Sequence, residues 1–291
     1  MKFKDIHIRD PYILVEGGKY YLYGSRGPET WGKCTGLDVY VSDDLENWSE
    51  PVEAFTPPAG FWADRNFWAP EVHAYRGAYY MFVSFKSDTC CRGTQILKAE
   101  SPMGPFVLHS DGPVTPKEWE CLDGTLYVES DGKPYMVFCH EWVQIQDGEM
   151  CAVELTEDLS ASVGEPIVLF KASEPVWATG LNGDRKGNYV TDGPFLYRTQ
   201  DGTLLMIWSS FAQGGYCEGI AYSDKGSITG NWIHDERLLF EADGGHGMIF
   251  TTLEGELKFI CHQPNKCPEE RPHMVSLKDI GNTIYPVDWR E

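Results

Sequence analysis

Five segments of the sequence begin with a polar residue and continue into two apolar stretches separated by a glycine-containing turn. The polar residues are Asp10, Glu71, Asp123, Asp192 and His246, at intervals of 61, 52, 69 and 54 residues. Each interval accommodates one multi-stranded unit with loops of varying length. Alternating β-branched and aromatic residues predict strands in nearly every segment, without long helical periodicity. The pattern predicts an all-β fold, a five-bladed β-propeller that residues 1–291 form as a single domain.

A propeller of this kind brings the five polar residues together. The first strand of each blade lines the central channel, so residues that open equivalent blades converge at its axis. Carboxylates and a histidine at one place are groups that can exchange protons with a ligand. The sequence therefore predicts one polar site on the propeller axis.

The composition restricts the partners of such a site. The net charge of −20 and the pI of about 4.7 exclude the Lys/Arg-rich surface that nucleic acid or an anionic membrane requires. No stretch approaches the roughly twenty apolar residues of a membrane span. A neutral ligand such as a sugar fits this charge better. We therefore expect an oligosaccharide partner, no nucleic acid, no membrane and no organic cofactor; the oligomeric state is left open.

The cysteines and the N-terminal residues favour a cytoplasmic location. The nine cysteines are odd in number and scattered, without the spacing of a disulfide framework or of a zinc site. We interpret them as reduced and mostly buried thiols. The N-terminal segment MKFKDIHIRDPYI lacks the apolar core of a signal peptide. A leader removed from a longer chain is the alternative.

Several motifs, spread in order along the whole chain, resemble those of the family-43 glycoside hydrolases. They are RDPYI at 9–13, FWAPEV at 67–72, SPMGPF at 101–106, LDGTLYVESDGKPY at 122–135, DGPFLYR at 192–198 and GHGMIF at 245–250. The resemblance implies a five-bladed propeller and an inverting enzyme of the β-xylosidase, α-L-arabinofuranosidase or arabinanase type. It also implies roles for individual residues.

By resemblance, Asp10 matches the family's general base and Asp123 the carboxylate that tunes the acid. Asp192 falls where the family usually has a glutamate acid, and its side chain is shorter by one methylene, about 1.5 Å. Glu218, in the next strand, is the reserve candidate. Inverting hydrolysis independently needs a base and a protonated acid roughly 6.5–9.5 Å apart, which a channel can provide. A third carboxylate between them raises the pKa of the acid.

Each of these assignments has a structural alternative. Asp before Pro or Gly is an ordinary turn former, and this explanation is sufficient for one isolated Asp. Three Asp residues at repeat-equivalent openings favour a site. For Glu71 we expect a structural role at the channel rim. A propeller that binds glycans without cleaving them, because Asp192 is an ineffective acid, is the alternative function.

His246 is the candidate metal ligand. The resemblance implies that this histidine, with water molecules, holds a calcium ion in the channel. Calcium prefers six to eight oxygen ligands, so one histidine with waters makes a weak site. The alternative is a histidine hydrogen-bonded to Asp123 or Asp192 without metal. The sequence leaves both possibilities open.

Aromatic residues and one arginine are candidates for sugar binding, because sugar rings present flat C–H faces to aromatic platforms. Trp68 matches a family position that lines the pocket. Trp31 and Trp142 are further candidate walls, with blade packing as the alternative. Arg271 resembles the family's fifth-blade arginine that bonds the sugar near the acid, and surface solvation is its alternative.

The sequence thus predicts an inverting glycoside hydrolase that removes terminal α-L-arabinofuranosyl or β-D-xylosyl units from plant-type oligosaccharides. By resemblance, the absence of an added sandwich domain favours the arabinofuranoside. Loop contacts decide sugar specificity, and one sequence does not place them.

Overall fold

The protein is a five-bladed β-propeller of four-stranded antiparallel blades, which confirms the predicted fold. The computed structural model describes residues 1–287. Within each blade, the strands follow one another in sequence order from the channel outward.

The twenty strands are distributed evenly over the blades. Blade 1 contains β1 (Ile8–Glu16), β2 (Lys19–Arg26), β3 (Leu37–Ser42) and β4 (Val52–Phe55). Blade 2 contains β5 (Arg65–Tyr75), β6 (Ala78–Lys86), β7 (Gly93–Ala99) and β8 (Val107–Pro113). Blade 3 contains β9 (Cys121–Val128), β10 (Pro134–His140), β11 (Glu149–Leu155) and β12 (Ser162–Lys171). Blade 4 contains β13 (Asp192–Arg198), β14 (Leu204–Ala212), β15 (Gly215–Ser223) and β16 (Trp232–His234). Blade 5 contains β17 (Gly245–Thr251), β18 (Leu257–Gln263), β19 (Arg271–Asp279) and β20 (Ile284–Val287).

Within residues 1–287, helical structure is limited to short segments. One α-helix of four residues, α1 (Trp142–Ile145), connects β10 to β11, and 3₁₀ turns span Phe3–Asp5, Gly27–Glu29 and Gly183–Arg185. No helix within residues 1–287 is long and apolar enough to cross a membrane. All nine cysteines are unpaired, and five of them are buried.

Buried apolar side chains fill the spaces between neighbouring blades. Phe82 of blade 2 and Phe138 of blade 3 belong to one cluster, and Ile207 of blade 4 and Phe259 of blade 5 to another. Burial of one such side chain contributes about 1.5–3 kcal/mol. This packing fixes each blade relative to the next and so fixes the first strands around the channel.

Every first strand carries a β-bulge near its start. In each case the register with the second strand skips two residues, and the first of the two has a positive φ between 47° and 58°. The bulged pairs are Asp10-Pro11, Ala69-Pro70, Asp123-Gly124, Gly193-Pro194 and His246-Gly247. A bulge re-aims the side chain that it carries.

The bulges correct part of the predicted repeat. Asp10, Asp123 and His246 occupy equivalent positions, as expected. Glu71 lies two residues after the equivalent Ala69, and Asp192 lies one residue before the equivalent Gly193. The sequence comparison missed this offset because it aligned polar residues, whereas the equivalent residues of blades 2 and 4 are Ala69 and Gly193.

Hydrogen bonds between blades hold four of the bulges in place. In blades 1, 2 and 4, a serine of the second strand accepts the bulge N–H of the next blade: Ser25 from Ala69, Ser84 from Asp123 and Ser209 from His246. Between blades 5 and 1, Nδ1 of His262 accepts the N–H of Asp10 at 3.3 Å. His262 therefore closes the ring between the last blade and the first.

Candidate active site

Asp10 lies on the channel axis among side chains of blades 1 and 5. The Ser25 hydroxyl donates to Asp10 Oδ2 at 2.6 Å, and Nδ1 of His246 lies 3.3 Å from Asp10 Oδ1. Arg9 Nε lies 4.0 Å from the same oxygen. Burial opposes ionisation of Asp10, but His246, Arg9 and the Ser25 hydrogen bond act in the opposite direction, and the pKa of this carboxyl is lowered. Asp10 is therefore a carboxylate that stays ionised.

His262 is a neutral imidazole that accepts a hydrogen bond from the backbone of Asp10. Its ring is fully buried, and Nδ1 accepts the Asp10 N–H while Nε2 lies 3.3 Å from Asn265 Oδ1. These contacts assign the proton to Nε2. Burial, with Arg9 adding to it, lowers the pKa of His262 to about 3, so the ring stays neutral near neutral pH.

Asp123 lies next to Asp10 on the axis and faces blade 4. Its Oδ2 accepts the N–H of Gly193 at 3.0 Å and lies 3.7 Å from Nδ1 of His246. Burial and the neighbouring charge of Asp10 raise the pKa of Asp123 well above its ordinary value. The contact with the Gly193 N–H joins Asp123 directly to the backbone that carries Asp192.

Asp192 enters the same site from the residue before the blade-4 bulge. The Tyr216 hydroxyl donates to Asp192 Oδ2 at 2.9 Å. Burial, followed by repulsion from Asp123, raises the pKa of Asp192 to about 7. Asp192 and Asp10 thus have pKa values displaced in opposite directions within one group of interacting axial side chains, an arrangement that suits an acid and a base.

Glu71 and Glu218 are buried, and the carboxyl group of each contacts another side chain of the fold. Glu71 is buried and its Oε2 lies 3.2 Å from Nε2 of His73. Glu218 has 0% exposure and accepts the Ser209 hydroxyl at 2.5 Å beneath the blade-5 bulge. A carboxyl group without exposed surface cannot reach a glycosidic oxygen, so this burial argues against Glu218 as the reserve acid.

Trp31, Trp68 and Arg9 form one wall beside Asp10. The rings of Trp31 and Trp68 meet edge to face at 5.2 Å, and Trp31 is 63% exposed. Arg9 lies over the Trp31 ring at 5.6 Å and binds Glu270 at 2.8 Å. Since Trp68 directly precedes the blade-2 bulge and Arg9 the blade-1 bulge, both side chains belong to the rim of the channel.

A second buried ion pair stands behind Trp68. The guanidinium of Arg92 lies 4.3 Å from the Trp68 ring centroid, donates to Glu141 and donates to Asn66 Oδ1 at 3.2 Å. Arg92 and Glu141 are both buried. Burial raises the pKa of Glu141, although Arg92 opposes the shift. The pair holds the Trp68 ring in a fixed orientation.

Trp142 and Arg271, the remaining candidates for sugar binding, each have contacts within the protein. Trp142 belongs to α1, and Arg185 lies over its ring at 5.2 Å. Arg271 begins β19 and donates to the backbone carbonyls of Pro268 and Glu270. The arginine near an axial carboxylate is Arg9, whose Nε lies 4.0 Å from Asp10 Oδ1. The roles of Trp142 and Arg271 in sugar binding stay predictions.

His246 offers one nitrogen to a metal ion. Its Nδ1 faces Asp10 and Asp123, whereas its Nε2 is buried without a hydrogen-bond partner. An unpartnered buried nitrogen fits a bound ion or water. Residues 1–287 contain no group of three or more His, Cys, Asp or Glu side chains arranged for a metal. Any ion here would have one protein ligand and would take its remaining ligands from water.

Sequence reasoning missed several residues that the structure places at the site. Arg9 adjoins Asp10 in the RDPYI motif, and this adjacency was the available signal. Ser25 and His262 lie in second strands, and Tyr216 in a third strand. No local pattern marks them, because only strand register brings them to the axis.

The chain is similar to known proteins in sequence and in structure. The profile described as "Glycosyl hydrolases family 43" matches residues 4–291. The crystal structure of endo-arabinase from Bacteroides thetaiotaomicron VPI-5482 has 37% sequence identity and a TM-score of 0.87, and the match covers 100% of this chain and 98% of that one. A thermostable family-43 glycoside hydrolase with 22% identity and a TM-score of 0.81 shares the fold, over 96% of this chain and 92% of that one.

Two curated relatives match parts of the chain. The extracellular exo-α-(1→5)-L-arabinofuranosidase ArbA of Cellvibrio japonicus (strain Ueda107) is 25% identical over 231 residues, 74% of this chain and 60% of that protein. The extracellular endo-α-(1→5)-L-arabinanase 1 of Bacillus subtilis (strain 168) is 28% identical over 152 residues, 48% of this chain and 45% of that protein. The matches thus span 60% and 45% of these relatives. Taken with the family profile and the propeller, they show that the chain belongs to glycosyl hydrolase family 43.

Proposed function

We propose that this protein is an inverting glycoside hydrolase that cleaves α-L-arabinofuranosyl linkages of arabinan. The observation that carries the proposal is the pair of opposite pKa shifts in one channel, lowered for Asp10 and raised to about 7 for Asp192. The relatives described above are named for activity on arabinan and on α-1,5-linked arabinofuranosides, and this supports the choice of sugar.

In this proposal Asp10 is the general base. Its ionised carboxylate takes a proton from a water molecule as the water attacks the anomeric carbon. Ser25 and His262 hold the carboxylate and the backbone of Asp10 in position. The base needs a low pKa, so that it is ionised before substrate arrives.

Asp192 is the general acid. Its proton passes to the glycosidic oxygen as the bond to the anomeric carbon breaks, on the face opposite the attacking water. A pKa of about 7 keeps a useful fraction of Asp192 protonated near neutral pH. Asp123 raises this pKa by repulsion and fixes the Gly193 N–H beside the acid.

We also propose that Nε2 of His246 takes one coordination position of a hydrated calcium ion. The buried and unpartnered state of Nε2 supports the proposal, and Asp10 and Asp123, on the Nδ1 side of the same ring, orient the imidazole. When bound, the ion would add positive charge on the axis and stabilise the ionised carboxylates.

A substrate panel tests the choice of sugar. Wild-type protein should hydrolyse aryl α-L-arabinofuranosides and linear α-1,5-arabinan, and should be at least about tenfold less active on aryl β-D-xylosides and β-D-galactosides, since pocket contacts discriminate sugars by 1–3 kcal/mol. Asp10→Asn is the matched control, because it keeps the size of the side chain and removes the base. Preference for the xyloside would overturn the arabinan assignment. Binding of arabinan without turnover of any glycoside would favour the glycan-binding alternative.

Removal of terminal units stays a prediction. Release of arabinose alone from the first time points onward would confirm it. Early accumulation of mixed oligosaccharides would instead indicate internal cleavage, as the name of the endo-arabinase implies for that relative.

A further inference from the structure

Blade 2 contains a cavity of about 910 Å³ that the proposed mechanism does not use. Its walls are the segment before β5, the β6–β7 loop, β8 and the segment between β8 and β9. In an antiparallel blade, the start of the first strand, the second loop and the end of the fourth strand share one edge. The axial carboxylates lie at the start of the first strands. The cavity therefore opens on the same face of the propeller as the active site.

The cavity combines aromatic surface with a fixed polar lining. Phe61 and Trp62 contribute rings, and Trp62 Nε1 donates to Gln95 Oε1 at 2.7 Å. Gln95 in turn donates to the carbonyl of Ser110 at 3.0 Å. These bonds hold the Trp62 side chain before any ligand arrives. Aromatic surface with a few oriented polar groups is the lining that sugar-binding sites use.

The charges on the cavity wall favour a neutral ligand. The exposed charged side chains of the wall are those of Asp111 and Glu118, which are acidic, and that of Lys117, which is basic. Arg92 is neutralised by its pairing with Glu141. The wall thus offers no uncompensated cationic cluster for a phosphate or carboxylate ligand.

Arg92 connects the cavity to the active-site wall. It lines the cavity, and the same guanidinium lies over the ring of Trp68, on the rim of the channel. One side chain therefore borders both places.

We propose that this cavity is a distal glycan-binding site that holds a further segment of the arabinan chain whose linkage is cleaved on the axis. The proposal rests on the proposed function for the identity of the polymer. It predicts that the site improves binding of long substrates and leaves short ones unaffected, because an aryl glycoside does not extend beyond the channel.

Cys90→Trp is the test variant, since Cys90 is exposed on the cavity wall and an indole there fills the space. Met103→Trp is the matched control. Met103 is an exposed residue of the same blade, in the β7–β8 connection on the opposite face. Both proteins are assayed with linear arabinan and with an aryl α-L-arabinofuranoside. Melting temperatures of both variants report whether the fold is retained.

We expect Cys90→Trp to raise KM for arabinan about five- to tenfold, the effect of losing one aromatic stacking contact or two. Its kinetics on the aryl glycoside should equal those of wild type, and Met103→Trp should change neither. Unchanged KM for arabinan in a folded Cys90→Trp protein would overturn the distal site but not the proposed function. Equal losses on both substrates would also overturn it.

A binding measurement separates the two proposals. In native gels containing arabinan or xylan, we expect arabinan to retard the Asp10→Asn protein. The double variant that carries both Asp10→Asn and Cys90→Trp should lose most of this retardation. Equal retardation with and without Cys90→Trp overturns the distal site. Retardation by xylan alone, reduced by Cys90→Trp, would overturn arabinan as the ligand and with it both proposals as stated. Absence of retardation by either polymer also overturns the distal site, while aryl arabinofuranoside turnover then decides the proposed function separately.

Discussion

Replacement of Asp192 by Ala should distinguish substrates by their need for a proton. General acid catalysis contributes about 10²- to 10⁴-fold, equivalent to about 3–5 kcal/mol of transition-state stabilisation. We therefore expect Asp192→Ala to lose this factor in kcat/KM on α-1,5-arabinobiose. On a dinitrophenyl α-L-arabinofuranoside the loss should be within about fivefold, because this leaving group departs without protonation.

The pH profile supplies an independent measure. Asp192 must be protonated to act, and its pKa is raised to about 7, so wild-type kcat/KM should fall as pH rises through about 7. Asp192→Ala should lose this alkaline limb. Asp10→Ala is the control, since it removes the group that activates water and should depress both substrates by comparable factors.

Two outcomes would refute this reasoning. Equal losses on both substrates, or none, would show that Asp192 is not the acid. An alkaline limb near pH 7 that persists in Asp192→Ala would assign that ionisation to another group. Asp192→Glu tests the side-chain length. Higher activity on the disaccharide would show that the shorter acid limits the reaction. Loss of activity would show that the pocket accommodates only the shorter side chain.

Three further predictions concern the axis. Ser25→Ala removes the hydroxyl that donates to Asp10 Oδ2, so the Asp10 pKa should rise by about one unit and the acidic limb of kcat/KM should move to higher pH by the same amount; an unmoved limb would contradict Asp10 as the base. Gly193→Ala places a Cβ 2.7 Å from Cδ2 of His246 at a positive φ and should destabilise the fold by about 1–3 kcal/mol in urea unfolding, whereas an unchanged midpoint would contradict the bulge geometry. Calcium at 100 times its dissociation constant should stabilise the folded protein by about 2.7 kcal/mol and raise Tm. His246→Ala should abolish this rise. A wild-type Tm that changes with neither calcium nor chelator would contradict a metal at His246.

The sequence was sufficient for the blade count and for three of the axial residues. Asp10, Asp123 and His246 each precede Pro or Gly at a bulge, so the repeat in the sequence coincides with the repeat in the backbone. Residues 69 and 193 occupy the same position in the other two blades but are Ala and Gly. A comparison of polar residues could not find them, because neither Ala nor Gly has a polar side chain.

The supporting residues could not have been found in this way. Ser25, His262 and Tyr216 reach the axial carboxylates through pairing between strands and packing between blades, which depend on register and not on local pattern. The pKa displacement of Asp192 likewise depends on its burial beside Asp123. A short sequence motif encodes neither the strand register nor the burial of Asp192.

The configuration of the sugar first released tests the central claim most directly. If Asp10 activates water on one face while Asp192 protonates the leaving oxygen on the other, hydrolysis inverts the anomeric centre. Proton NMR at the earliest time points, with an aryl α-L-arabinofuranoside as substrate, should show β-L-arabinofuranose before mutarotation. Initial release of the α-anomer would contradict the base and acid roles assigned to Asp10 and Asp192.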